Sequence, residues 1–149
     1  MRLTNGFDIS ASALTAQRLR MDVIASNIAN AETTRAKLVD GRWVPYTRKL
    51  VVMEPKGQAS FADILRGRMR DGTGQGVKAT RIYEDPAPYK QVYNPTHPDA
   101  DENGYVLMPN VDILKEMVDM ISATRSYEAN VTALNASKAF ITKALEIGK

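Results

Sequence analysis

The segment DILKEMVDMISATRSYEANVTALNASKAFITKALEI, residues 112–147, contains neither proline nor glycine. Within it Ile113, Met117, Met120, Thr124, Tyr127, Val131, Leu134, Lys138, Ile141 and Leu145 recur at steps of four and three, and eight of these ten are apolar. That spacing keeps one face of an α-helix greasy. Pro109 and Asn110 precede the segment, Asp112 is suited to cap its first turn, and Gly148 follows it, which are start and stop signals. One continuous helix is predicted, about 50 Å long at 1.5 Å per residue. A compact domain of this size is shorter than that, so part of the helix is expected to lack cover from its own chain.

A second helix is predicted near the N-terminus. Asp8 to Asn30 is also free of proline and glycine, and Phe7, Ala11, Leu14, Arg18, Met21, Ala25 and Ile28 repeat the same steps, six of the seven being apolar. This helix would reach about 35 Å. Steps averaging 3.5 residues are those of a coiled-coil seam. Further apolar residues flank both stripes: Leu19, Val23 and Ile24 on the first helix, and Val118, Ile121, Ala133 and Phe140 on the second. A two-helix hairpin covers one face of each helix, so these flanks are expected to need other chains. Each large apolar side chain removed from water is worth about 1.5–3 kcal/mol, so a few such contacts over several neighbours would hold an assembly firmly.

The middle is built differently. All seven prolines lie between Pro45 and Pro109, and seven of the nine glycines between Gly41 and Gly104. Lys37 to Val39, Asp40-Gly41, then Trp43 to Met53 predict a hairpin around a turn that tolerates positive φ. Pro45 confines the second strand to an edge. Residues 57–76 are rich in glycine and charge, with Phe61, Ile64 and Leu65 as apolar anchors, and predict a mobile loop. Val77, Ala79 and Arg81, then Val92-Tyr93 and Tyr105-Val106-Leu107, predict further short strands. The expected fold is α+β, with long terminal helices and a small β-rich insertion.

Composition narrows the function. The chain has 149 residues, 44% of them hydrophobic and 25% charged, with a formal charge of +3. This describes a folding chain of one ordinary domain, whose mild charge gives weak, easily screened attraction to nucleic acid or anionic lipid. There is no cysteine, which excludes disulfides, thiolate nucleophiles and thiolate metal sites. Met1 to Asp8 carries a charge and polar residues where a signal peptide needs an apolar run, and no stretch approaches the ~20 apolar residues of a membrane span. A soluble protein without a cleavable secretion signal is expected.

Candidate chemistry is thin. His97, the single histidine, has only Asp99 nearby in sequence to orient it, and reads as a turn residue. Asp99-Ala100-Asp101-Glu102-Asn103-Gly104 matches positions one, three, five and six of a calcium-binding EF-hand loop, with apolar Val106 at position eight. The twelfth position, where such loops need glutamate, is Asn110, and Pro95 and Pro98 preclude an entering helix. A turn into the next strand is the better reading. Gly72 to Gly76 lacks the Gly-Lys-Ser/Thr ending of a phosphate loop. Arg66, Arg68 and Arg70, with Lys78 and Arg81, form a basic cluster without interleaved aromatics. Asn130-Val131-Thr132 and Asn135-Ala136-Ser137 fit the glycosylation triplet but fall inside the predicted helix. No catalytic, cofactor-binding or metal-binding residue is assigned, and the chain is expected not to be an enzyme.

Ile24-Ala25-Ser26-Asn27-Ile28-Ala29-Asn30-Ala31-Glu32-Thr33-Thr34 resembles the N-terminal signature of bacterial flagellar rod and hook proteins. Asp85-Pro86-Ala87-Pro88, the stretch from His97 to Val111, and the stretch from Glu116 to Val131 resemble the proximal rod members of that family. Thr96 stands where a glycine is expected before His97-Pro98. The resemblance covers both termini and the approach to the second helix, while 57–76 carries little of it. It implies that residues 1–31 and 111–149 form one discontinuous antiparallel coiled-coil domain, with 32–110 as a β-rich middle domain. It implies a basal-body location in the periplasmic rod, uncleaved export through the flagellar type III apparatus, and no direct membrane insertion. The implied partners are copies of the chain itself, the other proximal rod proteins, the distal rod protein and the rod-to-ring adaptor FliE. The expected assembly interface comprises Leu14, Met21, Ile24, Ile28, Met117, Met120, Tyr127, Val131, Leu134, Ile141 and Leu145. A sister rod protein, or a calcium-responsive binding module using Asp99 to Gly104, are the alternatives.

Overall fold

The computed structural model describes residues 5–56 and 76–147, with side chains over 6–56 and 76–146. All of the expected 57–76 loop but Gly76, with Arg66, Arg68 and Arg70, lies outside these ranges, as do the first four residues and the Gly148 stop signal. Helix α1 spans Asn5–Ala29. Among the described residues six short strands follow: β1 Lys37–Val39, β2 Arg42–Val44, β3 Lys49–Pro55, β4 Val77–Glu84, β5 Lys90–Tyr93 and β6 Tyr105–Met108. Helix α2 spans Ile113–Ile147, 35 residues in one run. The architecture is therefore α+β, as expected.

Local rules account for most element boundaries. The Asp112 carboxylate accepts from the amides of Leu114 at 3.1 Å and Lys115 at 3.4 Å, capping α2. At the end of α1 the backbone amide and the side-chain amide of Asn30 both donate to Ser26 O, at 3.2 Å and 2.9 Å, which fastens the last turn. Asp40 and Gly41 both take positive φ, 49° and 78°, and between them turn β1 into β2 with Leu38 opposite Trp43.

One strand expectation is corrected. Trp43 to Met53 is not a single strand: β2 ends at Val44 and β3 begins at Lys49. Pro45 offers no amide for a ladder, and the amide of Tyr46 instead donates to Thr33 O at 3.0 Å. The chain swerves there, which frees Arg48 to point inward.

The described residues fall into two units. One draws on Met1–Leu19, Val52–Arg81 and Ala123–Lys149, the other on Arg20–Val51 and Ile82–Ser122. In the first, Ser12 Oγ donates to Ile9 O at 2.7 Å and accepts from Val77 N at 3.1 Å. Gly76, at φ 82°, sits so close that a Cβ there would lie 2.2 Å from Ser12 Oγ. Only glycine suits both the conformation and the space. In the second unit, β5 and β6 pair antiparallel with Tyr93 opposite Tyr105, the two rings meeting edge to face at 5.4 Å, and Ala31, Tyr46 and Val111 form a small buried cluster. Among the described residues the strands form two-stranded ribbons, β1–β2, β3–β4 and β5–β6.

The covered line along α2 differs from the expected stripe. Met120, Tyr127, Leu134 and Ile141 are at least half covered, as expected, but the alternating positions are Glu116, Ala123, Asn130 and Ser137. Ile113, Met117, Lys138 and Leu145, which the stripe placed inward, are exposed. At these steps the covered line takes in the preceding residue, and Thr124 and Val131 of the expected stripe stay half-buried beside it, because small or hydrogen-bonded side chains occupy or share positions that hydrophobicity alone gave to their neighbours. On α1 the correction is similar. Val23 and Ile24, read as flanks requiring other chains, are buried within this one, while Ala25 is exposed.

Candidate functional site

The most thoroughly buried large side chains of the second unit include two polar ones, Asn27 and Glu116, each 1% exposed. Asn27 uses its full hydrogen-bonding capacity. Its amide nitrogen donates to Lys49 O at 2.8 Å and to Glu116 Oε2 at 3.0 Å. Its oxygen accepts from Lys49 N at 2.9 Å and from the Tyr46 hydroxyl at 3.0 Å. The side chain thus treats the backbone of Lys49 as a neighbouring strand would, binding both its N–H and its C=O. Aspartate lacks the donor and leucine lacks both groups.

Glu116 is met from the other side by Arg48, whose Nε and Nη2 lie 2.7 Å and 2.5 Å from Glu116 Oε1. Arg48 also reaches Asp85 at 3.4 Å and Asp119 at 3.7 Å, and Asp119 in turn meets Arg20 at 3.4 Å. Burial alone would lower the pKa of Arg48, but Glu116 and Asp85 more than offset it, and the guanidinium is held above its ordinary value. It is charged at every working pH. Its backbone is fixed as well: Arg48 N donates to Asn110 Oδ1 at 2.8 Å, while the Asn110 amide holds Asp85 O and Ala87 O. This clasp ties α1, the start of β3 and the first turn of α2 together. Removing water from two ions is costly unless every remaining lone pair and proton is met, and here Asn27 and Arg48 meet those of Glu116.

The segment tested as a calcium loop has another occupation. Asp99 accepts from Thr34 Oγ1 at 2.9 Å and from Arg35 Nε at 2.6 Å, with a second guanidinium contact alongside. Asn110, at the position that would complete the loop, is committed to Arg48, Asp85 and Ala87. The segment itself forms the turn joining β5 to β6, with Gly104 N donating to Asp101 O at 2.8 Å and Asp101 N to Tyr105 O at 2.9 Å. His97 lies in the same turn, its Nδ1 accepting from Asp99 N at 3.1 Å.

The hydrogen bond from Arg35 holds the Asp99 carboxyl below its ordinary pKa against the cost of burial, with Thr34 and His97 adding to the effect. A carboxylate with a depressed folded-state pKa contributes stability that is present above its unfolded value, near about 4. That contribution is lost as pH falls through the folded value. Asp99→Asn will therefore flatten the acid limb of the unfolding curve below about pH 4, measured by circular dichroism. Equal acid sensitivity in both proteins would refute the assignment.

The structure divides the expected interface residues into three groups. Ile24 is covered by its own chain, 5% exposed. Leu14, Met21, Ile28, Met120, Tyr127, Val131, Leu134 and Ile141 are half-buried. Met117 and Leu145 are exposed. The most exposed large hydrophobics on α2 are Phe140 at 77% and Leu114 at 75%. Phe140 is among the expected flanks, whereas Leu114 was missed although its apolar side chain beside the Asp112 cap was a usable signal. Phe140, Ile141, Ala144 and Leu145 with Ser137 line a shallow apolar groove near the end of α2. Among the described residues no helix is long and apolar enough to cross a membrane.

Comparison with known proteins places this arrangement. A family model described as flagella basal body rod protein matches residues 7–37, and one described as flagellar basal body rod FlgEFG protein C-terminal matches residues 102–147. The first match contains Asn27 and the second contains Glu116. The flagellar basal-body rod protein FlgC of Bacillus subtilis (strain 168) is 58% identical over the full length of both chains. That of Salmonella typhimurium (strain LT2) is 46% identical, again over all of both chains. That of Borreliella burgdorferi is 42% identical over 99% of this chain and 98% of its own. With identity of this order from end to end, the chain belongs to the FlgC family of flagellar basal-body rod proteins, structural rod subunits rather than enzymes.

Proposed function

We propose that α1 and α2 pair as an antiparallel coiled coil, residues 1–31 with 111–149, and that these arms pack against those of neighbouring subunits to build the proximal rod. The supporting observation is the apolar surface left open on α2, where Leu114, Met117, Val118, Ile121, Phe140 and Leu145 are all exposed. Covering it with neighbours at about 25 cal/mol per Å2 supplies an assembly drive that no isolated subunit can realise. The neighbours are copies of this chain, the other proximal and distal rod proteins, and the FliE adaptor. Residues 32–110 form the outward-facing middle that fixes how subunits stack. The chain reaches the periplasmic rod uncleaved through the flagellar type III apparatus, and the packed arms transmit torque.

The free subunit will then show fast amide hydrogen exchange toward both chain ends, because the apolar face of α2 stays open there before assembly. Exchange measured by mass spectrometry on the monomer and on assembled rods should show protection there rising on assembly. Strong protection already in the monomer would mean that the arms need no neighbours, and would sink the reading.

A further inference from the structure

The covered line of α2 repeats every seven residues: Glu116, Ala123, Asn130 and Ser137 in one series, Met120, Tyr127, Leu134 and Ile141 in the other. A seven-residue slip of α2 along a partner helix would therefore exchange one apolar residue for another and one small or polar residue for another. Packing of this seam alone distinguishes such registers poorly. One position breaks the degeneracy. Glu116 is buried against Asn27 and Arg48, and only one alignment brings the three together; in any other its carboxyl group would lose both partners. We propose that the Asn27–Arg48–Glu116 clasp is the register-setting device of the α1–α2 pair, and that Arg48, a residue of the β-rich middle, is its positioning residue. This rests on the coiled-coil reading above, and it assigns the middle a role within the subunit as well as between subunits.

The chain's lack of cysteine makes the test clean. A Cβ built on Gly6 lies 3.7 Å from Ser137 Oγ, so the two positions face each other closely enough for a cysteine pair to be tried there. Gly6→Cys is combined in turn with Ser137→Cys, Asn130→Cys or Ala144→Cys in the full chain, and the three disulfide yields are compared under mild oxidation. In the otherwise native protein the 6–137 pair should exceed the 6–130 and 6–144 pairs by about tenfold or more, the margin that about 1.4 kcal/mol of register preference gives. With Arg48→Met and Glu116→Leu together, the slipped pairs should rise to within about threefold of the 6–137 pair. Glu116→Gln, which keeps a hydrogen-bond acceptor for Asn27, should shift the ratios in the same direction and serves if the double variant does not fold. Val106→Ala, a core truncation outside the clasp, should lower stability and leave the ratios unchanged. Slipped products absent from the folded clasp variants would overturn the inference while leaving the helix pairing intact. Equal yields of all three pairs in the native protein would instead remove the pairing itself.

Discussion

Leu134→Asp will abolish swimming and rod incorporation while leaving the middle of the chain folded. Leu134 is half-buried on the covered line of α2, so an aspartate there forfeits about 1.5–3 kcal/mol of apolar transfer. It also puts a carboxylate on a half-buried helix face that assembly would dry further, at an added desolvation cost. In a polymer the penalty recurs in every subunit, and a rod has no tolerance for a missing tier. Val131→Asp, three residues earlier and also half-buried, should act in the same way. The checks are spreading in soft agar, recovery of the variant in purified basal bodies, and near-native β-region dichroism of the purified subunit. Normal spreading by either variant would count decisively against arms that work by staying packed.

Glu116→Ala comes next in size. It leaves the buried Arg48 with only the longer contacts to Asp85 at 3.4 Å and Asp119 at 3.7 Å, and strips one of the two acceptors from the Asn27 amide. Breaking a buried ion pair from one side typically costs about 3–5 kcal/mol, which at a urea slope near 2 kcal/mol/M moves the unfolding midpoint down by about 2 M. Arg48→Met with Glu116→Leu should recover much of that loss, since an apolar pair of similar volume carries no stranded charge. A single variant that unfolds within 1 kcal/mol of the native protein would show the clasp to be wetter and weaker than its burial indicates.

The features legible in the sequence are those governed by neighbours along the chain. The extents of α1 and α2, the Asp112 cap and the Asp40-Gly41 turn each follow from spacing or from a residue's own conformational range. Reading the helix faces was harder, because counting oily residues gives every inward position to the greasier neighbour. Glu116 lost that contest to Met117, and Asn27 lost it to Ile28, although both polar residues are the ones buried. Nothing local reveals their partners: Arg48 lies 68 residues from Glu116, and Lys49 lies 22 from Asn27. Polar burial is a three-dimensional bargain, visible only when donor and acceptor are brought together. The break at Pro45 was half legible, since proline forbids a ladder bond but does not say where the next amide will turn. The signature stretch around Ser26 to Asn30 pointed to the family correctly, and the structure supplies a reason for two of its residues: Asn27 binds a strand and Asn30 closes a helix.

The β1–β2 ribbon holds the chain's single tryptophan, Trp43, 56% exposed beside Leu38 and Val39. Indole emission depends on its immediate surroundings, so the free subunit should fluoresce as a solvent-bathed ring. A blue shift on polymerisation would mark the covering of this one ribbon and no other part of the molecule. The protein thus comes with its own optical gauge of whether the middle, and not only the arms, is engaged in the rod.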